Sequence, residues 1–156
     1  MTALLRMAAR LLVLGLALLG QPAIAAGTPV KVSADTFTVD QAAGVATFTG
    51  NVVITRSGMD MWADKVIVRY GSGGAADVDM LDATGNVRIK TSGQEASGRR
   101  ATFDPDTAIL RLFDNVTVVN AQGTFRGPEL TIDLSTNSSV FKGSEGGRVT
   151  GVFTPQ

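Results

Sequence analysis

The chain has 156 residues, with 14 basic and 14 acidic side chains, no His and no Cys. That length suits one domain, and the balanced charge offers no basic excess for nucleic acid or an anionic membrane surface. Without Cys, stability has to come from burial rather than bridges; without His, the commonest general base and metal ligand is missing.

Arg6 and Arg10 precede the apolar run LLVLGLALLG at 11–20, and PAIA at 22–25 follows. A charged start, a short apolar stretch and an Ala-x-Ala ending read as a secretory signal, residues 1–25, cleaved before Ala26. The competing reading is an uncleaved membrane anchor; the run is short for a span of about 20 residues, and Pro22 favours cleavage. The remaining chain, 26–156, is expected to be a single domain with a net charge of about −2.

From residue 30 onward the periodicity is two. VKVSADTFTVD (30–40), VVIT (52–55), KVIVRY (65–70), NVRIK (86–90), TVV (117–119) and ELTIDL (129–134) are short, β-branched and alternating. Turn signals separate them at DQAAG (40–44), RSG (56–58), TSG (91–93), DPDT (104–107) and NAQG (120–123). No segment past the signal reads as an amphipathic helix. The expected class is all-β, with consecutive strands antiparallel.

The strands also repeat. FTGNVVIT at 48–55 returns as ATGNVRIK at 83–90 and as LFDNVTVV at 112–119. Anchored on Asn51, Asn86 and Asn115, the flanking columns keep their chemistry: Phe48, Ala83 and Leu112; Val52, Val87 and Val116; Ile54, Ile89 and Val118; Met61, Ala96 and Phe125. Unit starts at 34, 63, 98 and 127 are 29, 35 and 29 residues apart, and the longer step holds GSGGAA (71–76) as a loop tip. Such a period signals stacked supersecondary units, here about four.

Gly-Asn inside an alternating segment admits two readings. It is either a tight hairpin turn or a bend at which a long strand passes into a second, facing sheet. Ala63-Asp64, Gly98-Arg99 and Gly127-Pro128 supply a matching weak point at equal spacing, which favours the bend. The result would be a bent half-pipe roughly 40 Å long, with an apolar interior and two open ends.

Segment 32–70 resembles the opening of the LptA/OstA-like family through S-A-D (33–35), T-G-N-V after a Phe (48–52) and A-D-K-V (63–66). Weaker similarity continues through the later units. The resemblance implies a twisted, V-shaped antiparallel jelly-roll that carries lipopolysaccharide across the periplasm. It implies lipid A acyl chains in the interior groove as the bound partner. It also implies end-to-end pairing with itself and with related domains at the inner and outer membranes. An uncleaved residue 1–25 segment would instead resemble the membrane-anchored relative of the same pathway. A structural periplasmic adaptor that binds no lipid is the competing function.

The positions expected to face inward are Phe37, Val39, Phe48, Val52, Ile54, Val66, Val68, Val87, Ile89, Phe103, Leu112, Val116, Val118 and Phe125, most of which simply pack. Ala83, Ala96 and Ala101 are the small members of their columns and suggest a notch for an acyl chain. Val30 and Val32 either line the groove, as the family's first strand implies, or form a plain edge face. Met59, Met61 and Trp62 form a bulky cluster: the methionines suit either an irregular ligand surface or a core gap, with Met61 read as core, and Trp62, of opposite parity, as outer face or rim. At the last apolar stretch, VTGVF (149–153), an unguarded edge strand and a disordered tail stand as equal readings.

Asp77, Asp79 and Asp82 lack the spacing of a Ca²⁺ loop and read as solvated faces; Arg99-Arg100 reads as a solvated turn. No nucleophile elbow or nucleotide-binding signature is present, so the expectation is a non-enzymatic protein without cofactor or metal.

Overall fold

A computed structural model describes residues 30–74, 77–143 and 147–155. The expected signal at 1–25 and part of the 71–76 tip lie outside the described residues.

Among the described residues there are ten strands: β1 (Lys31–Ser33), β2 (Thr36–Asp40), β3 (Val45–Arg56), β4 (Met59–Tyr70), β5 (Val78–Thr91), β6 (Gln94–Asp104), β7 (Ile109–Asn120), β8 (Gly123–Asp133), β9 (Ser138–Lys142) and β10 (Thr150–Phe153). Every pairing is antiparallel. The strands make one unclosed sheet, not two facing ones. Its path is β1-β3-β4-β5-β6-β7-β8-β10, with β2 also on β3 and β9 also on β8. β1 and β2 are two halves of one edge, broken at Ala34-Asp35. β9 and β10 are the two halves of the other edge.

The long strands bend at the expected places. Gly50-Asn51 and Gly85-Asn86 lie within β3 and β5, not at hairpin tips, and all four residues have positive φ. In the third unit Asp114-Asn115 takes the same left-handed pair of conformations. Each dipeptide sets two residues against one on the partner strand, which is a bulge with one extra residue. The register skips from Thr49 to Val52 against Lys65 and Ala63, from Thr84 to Val87 against Arg100 and Gly98, and from Phe113 to Val116 against Glu129 and Gly127. Bulges bend and twist a strand locally. Aligned across six consecutive strands, they crease the whole sheet along one line into two arms.

Side chains clip the crease. Asn51 Nδ2 donates to Asp35 Oδ2 at 2.9 Å, and Asn86 Nδ2 donates to Asp64 Oδ2 at 2.8 Å. These are the Asp residues of S-A-D and A-D-K-V. The core fills the crease, where Val52, Val66, Val87, Leu112, Val116 and Leu130 are the largest fully buried side chains. Burying a Val or Leu stabilises by roughly 1.5–3 kcal/mol, so this row carries much of the fold.

At the arm tips the turns are closed by acceptor side chains. Asp104 Oδ1 accepts from the Asp106 and Thr107 amides at 3.0 and 3.2 Å, and Asp133 Oδ1 from Ser135 and Thr136 at 2.9 and 3.1 Å. Hydrogen bonds from Thr107 hold the Asp104 carboxyl below its ordinary range, and those from Ser135 and Thr136 do the same for Asp133. A carboxylate lowered in the folded state contributes stability above its unfolded pKa, and that contribution is lost as pH falls through the folded value. Thermal midpoints should therefore drop as pH falls below about 4. The double variant Asp104→Asn, Asp133→Asn keeps the turns but should show a flatter acid limb; limbs of equal steepness would count against these two groups.

Candidate functional site: an apolar groove between the arms

The bulge keeps parity in β3. Ala46 and Phe48 face inward before it, and Val52 and Ile54 after it. Both arms therefore turn their apolar faces toward each other. Near the crease those faces meet and close. Toward the tips they diverge around a cavity of about 520 Å³. One arm supplies Val30, Val32, Ile54, Arg56, Met59, Met61 and Ile89. The other supplies Phe48, Val68, Tyr70, Val78, Leu81, Phe103, Pro105, Leu110 and Leu134. That volume lies within the range of small-molecule sites, and the lining is aliphatic and aromatic apart from the Arg56 guanidinium and the Tyr70 hydroxyl. Such a surface can take hydrocarbon out of water, at about 0.8 kcal/mol per methylene.

The expected inward residues divide into three groups. Val30, Val32, Phe48, Ile54, Val68, Ile89 and Phe103 line the groove. Val52, Val66, Ala83, Val87, Ala96, Ala101, Leu112, Val116 and Val118 are buried in the core and do not line it. Ala83 and Ala101 sit directly opposite each other on β5 and β6, each 2% exposed, so both are sealed in the core and neither opens a notch into the cavity. Phe37 and Val39 hold inward register against Phe48 and Ala46 but stand on the open edge, at 57% and 46% exposure. Phe37 stacks on Phe48 with ring centroids 4.6 Å apart, so the apolar lining runs out to the rim. Phe125 lies at the opposite edge, 5.4 Å from Phe153 in an edge-to-face pair.

Several lining residues escaped the sequence reading: Arg56, Tyr70, Val78, Leu81, Pro105, Leu110 and Leu134. Most sit at strand ends, outside the repeated columns. Alternation continued to the end of β3 would have found Arg56, two residues beyond Ile54.

Two readings of charged residues need correction. Arg99-Arg100 lies within β6 rather than in a turn. Arg100 reaches across to β5, where its Nη2 is 2.6 Å from Asp82 Oδ2 and its Nε 3.1 Å from Oδ1. This bidentate pair raises the Arg100 pKa and also accounts for Asp82. Asp77 Oδ2 accepts from the Gly73 amide at 2.9 Å and closes the 71–77 tip. Trp62 is on the outer face, where the Arg88 guanidinium lies 4.4 Å from its ring centroid. The residues 150–153 form β10, paired with β8, so the chain's last described apolar stretch is an edge strand. No cluster of three or more metal-ligating side chains occurs among the described residues.

Residues 31–138 match the sequence profile of a family described as LptA/(LptD N-terminal domain) LPS transport protein. The chain belongs to this family. It is 26% identical over 133 residues to the lipopolysaccharide export system protein LptA of Escherichia coli K12, covering 81% of this chain and 71% of that one. Against LptA of Haemophilus influenzae the identity is 24% over 133 residues, with 81% and 77% covered. Among solved structures it resembles LptH, the LptA homologous periplasmic component of the lipopolysaccharide transport device from Pseudomonas aeruginosa. That match has a TM-score of 0.73 at 20% identity, over 82% of this chain and 96% of LptH. The creased, unclosed sheet is thus the LptA-like fold, and the expected V-shaped jelly-roll is correct. No helix among the described residues is long and apolar enough to cross a membrane.

Proposed function

We propose that this LptA-like chain is exported to the periplasm, loses residues 1–25, and carries lipopolysaccharide from the inner toward the outer membrane with the acyl chains in the inter-arm groove. The observation that carries this reading is the apolar cavity between the arms of a sheet that never closes. A sealed barrel would confine its ligand; a creased open sheet offers a track. A lipid with several acyl chains cannot cross water bare, because every exposed methylene opposes the step.

The edges support a second part of the proposal, end-to-end pairing with further copies and with related domains at the two membranes. Phe37 and Val39 on one edge and Val152 and Phe153 on the other are all largely exposed. Soluble proteins ordinarily guard strand edges with charge, Pro or cover. Apolar residues on both rims suit addition of strand to strand, which would join the grooves of successive copies.

One crosslinking experiment in cells tests both parts. Photoreactive residues at Ile89 inside the groove should attach lipopolysaccharide, and those at Thr117 on the outer face should not. A photoreactive residue at Phe153 should attach a protein partner. Protein adducts without any lipid adduct from Ile89 would turn the reading into that of a structural adaptor.

A further inference from the structure

Charged strand residues in this protein overwhelmingly face water. Lys65 and Arg69 on β4, Arg88 and Lys90 on β5, and Arg111 on β7 all alternate with buried neighbours. Arg56 breaks the pattern. It follows Val52 and Ile54 on the inward parity of β3, stands opposite Met59 across the hairpin, and lines the groove. Among the described residues it is the one charged side chain in that lining. Among the described residues the ion pairs are Arg88 with Glu95 and Arg100 with Asp82, and neither involves Arg56. The described residues of the lining include no carboxylate to neutralise it.

Arg56 is part-exposed, so water can solvate its guanidinium while the stem lies on the apolar lining, and the head stays free to meet an anion carried by a ligand in the groove. The guanidinium presents a planar fork that matches phosphate oxygens two at a time. Its position fits such a partner. Arg56 ends β3 at the tip of the β3–β4 hairpin, on one arm, whereas Phe48, Val68 and Leu110 line the same cavity from the other arm with apolar side chains.

Resting on the groove reading above, we propose that Arg56 binds a phosphate of the lipid, fixing the anionic end at the hairpin tip while the acyl chains extend along the apolar lining. The groove then recognises an amphiphile with phosphate beside its chains, rather than hydrocarbon alone. It also takes that amphiphile in one orientation.

The test measures binding of the purified protein to lipopolysaccharide and to the same lipid stripped of phosphate. Arg56→Met keeps the apolar stem and removes the charge. It should weaken binding of the phosphorylated lipid about tenfold. Binding of the stripped lipid should be unchanged, and added salt should narrow the difference between wild type and variant. Arg56→Lys should recover part of the loss. Equal weakening for both lipids would mean that Arg56 only packs, and no weakening would mean it does nothing; either overturns the proposal. Displacement of bound lipid by millimolar inorganic phosphate would make the residue a free-anion site and overturn it as well. Phe103→Asp, on the part-exposed far arm, separates the two levels of inference. If it abolishes binding of both lipids while Arg56→Met fails to discriminate between them, the groove stands and the phosphate site falls. If it leaves both lipids bound, the groove reading itself fails.

Discussion

Replacing Val116 by Asp is expected to destabilise the protein severely. Val116 is 1% exposed and belongs to the row of side chains that fills the crease. It follows Asp114-Asn115 directly and faces Gly127 on β8. A carboxylate placed there has no water and no built partner, and a lone buried charge costs about 3–5 kcal/mol after the protein relaxes. The lost Val burial adds about 1.5–3 kcal/mol, and a domain of this size holds only about 5–15 kcal/mol in total, so the two together remove about half of a mid-range stability. The variant should lose its cooperative urea transition, or show it at a far lower midpoint, when followed by far-UV circular dichroism. A transition within a few tenths of a molar of wild type would mean the crease is not the centre of stability. The distinction matters for function. A charge at either Ile54 or Val116 is expected to stop lipid transport, but at Val116 the loss comes through folding. Only a position on the groove wall, such as Phe103, reports on the groove.

The same contrast explains what could and could not be read from the residues. The crease was legible because its chemistry is local: only Gly, Asn and Asp sit easily at positive φ, and they recur at matching places in alternating segments. The stacking order was legible because the columns repeat. That the result is one sheet rather than two was not, since a bulge preserves ladder pairing on either side and local sequence does not report whether a bent strand changes sheets. The groove was only half legible. Val87 and Ile89 have the same parity and the same chemistry, yet the first is sealed in the crease and the second lines a cavity. Distance from the crease decides between them, and that distance depends on how far the arms diverge. Phe37 and Val39 fit their columns equally well, but as members of an edge strand they have a neighbour on one side only. Arg56 was overlooked because a charge at the end of a strand is normally assigned to the turn that follows.

The crease also sets up a comparison between two glycines. A Cβ at Gly85 would fall 2.8 Å from the Asp64 Cβ, at a residue whose φ is +80°. Gly58, at the tip of the β3–β4 hairpin, has φ +77° and nothing within 4 Å of the same imagined atom. Alanine at either site is forced into the left-handed region, which disfavours it by about 1 kcal/mol. At Gly85 it must also push Asp64 aside and so break the 2.8 Å hydrogen bond from Asn86, worth about another 1 kcal/mol with further strain in the bulge. Gly85→Ala should therefore destabilise by about 2–3 kcal/mol and Gly58→Ala by about 1 kcal/mol, read from urea midpoints at constant slope. Equal losses would show that the Asp–Asn clip adds nothing to the bend. The third crease supports the unequal outcome. There Asp114 replaces glycine at φ 64°, and the residue facing it across the bulge is Arg99, where the first two creases place Asp35 and Asp64. A side chain is tolerated at the bend where the opposing carboxylate has been removed, which ties glycine at the other two positions to the Asp that clips them.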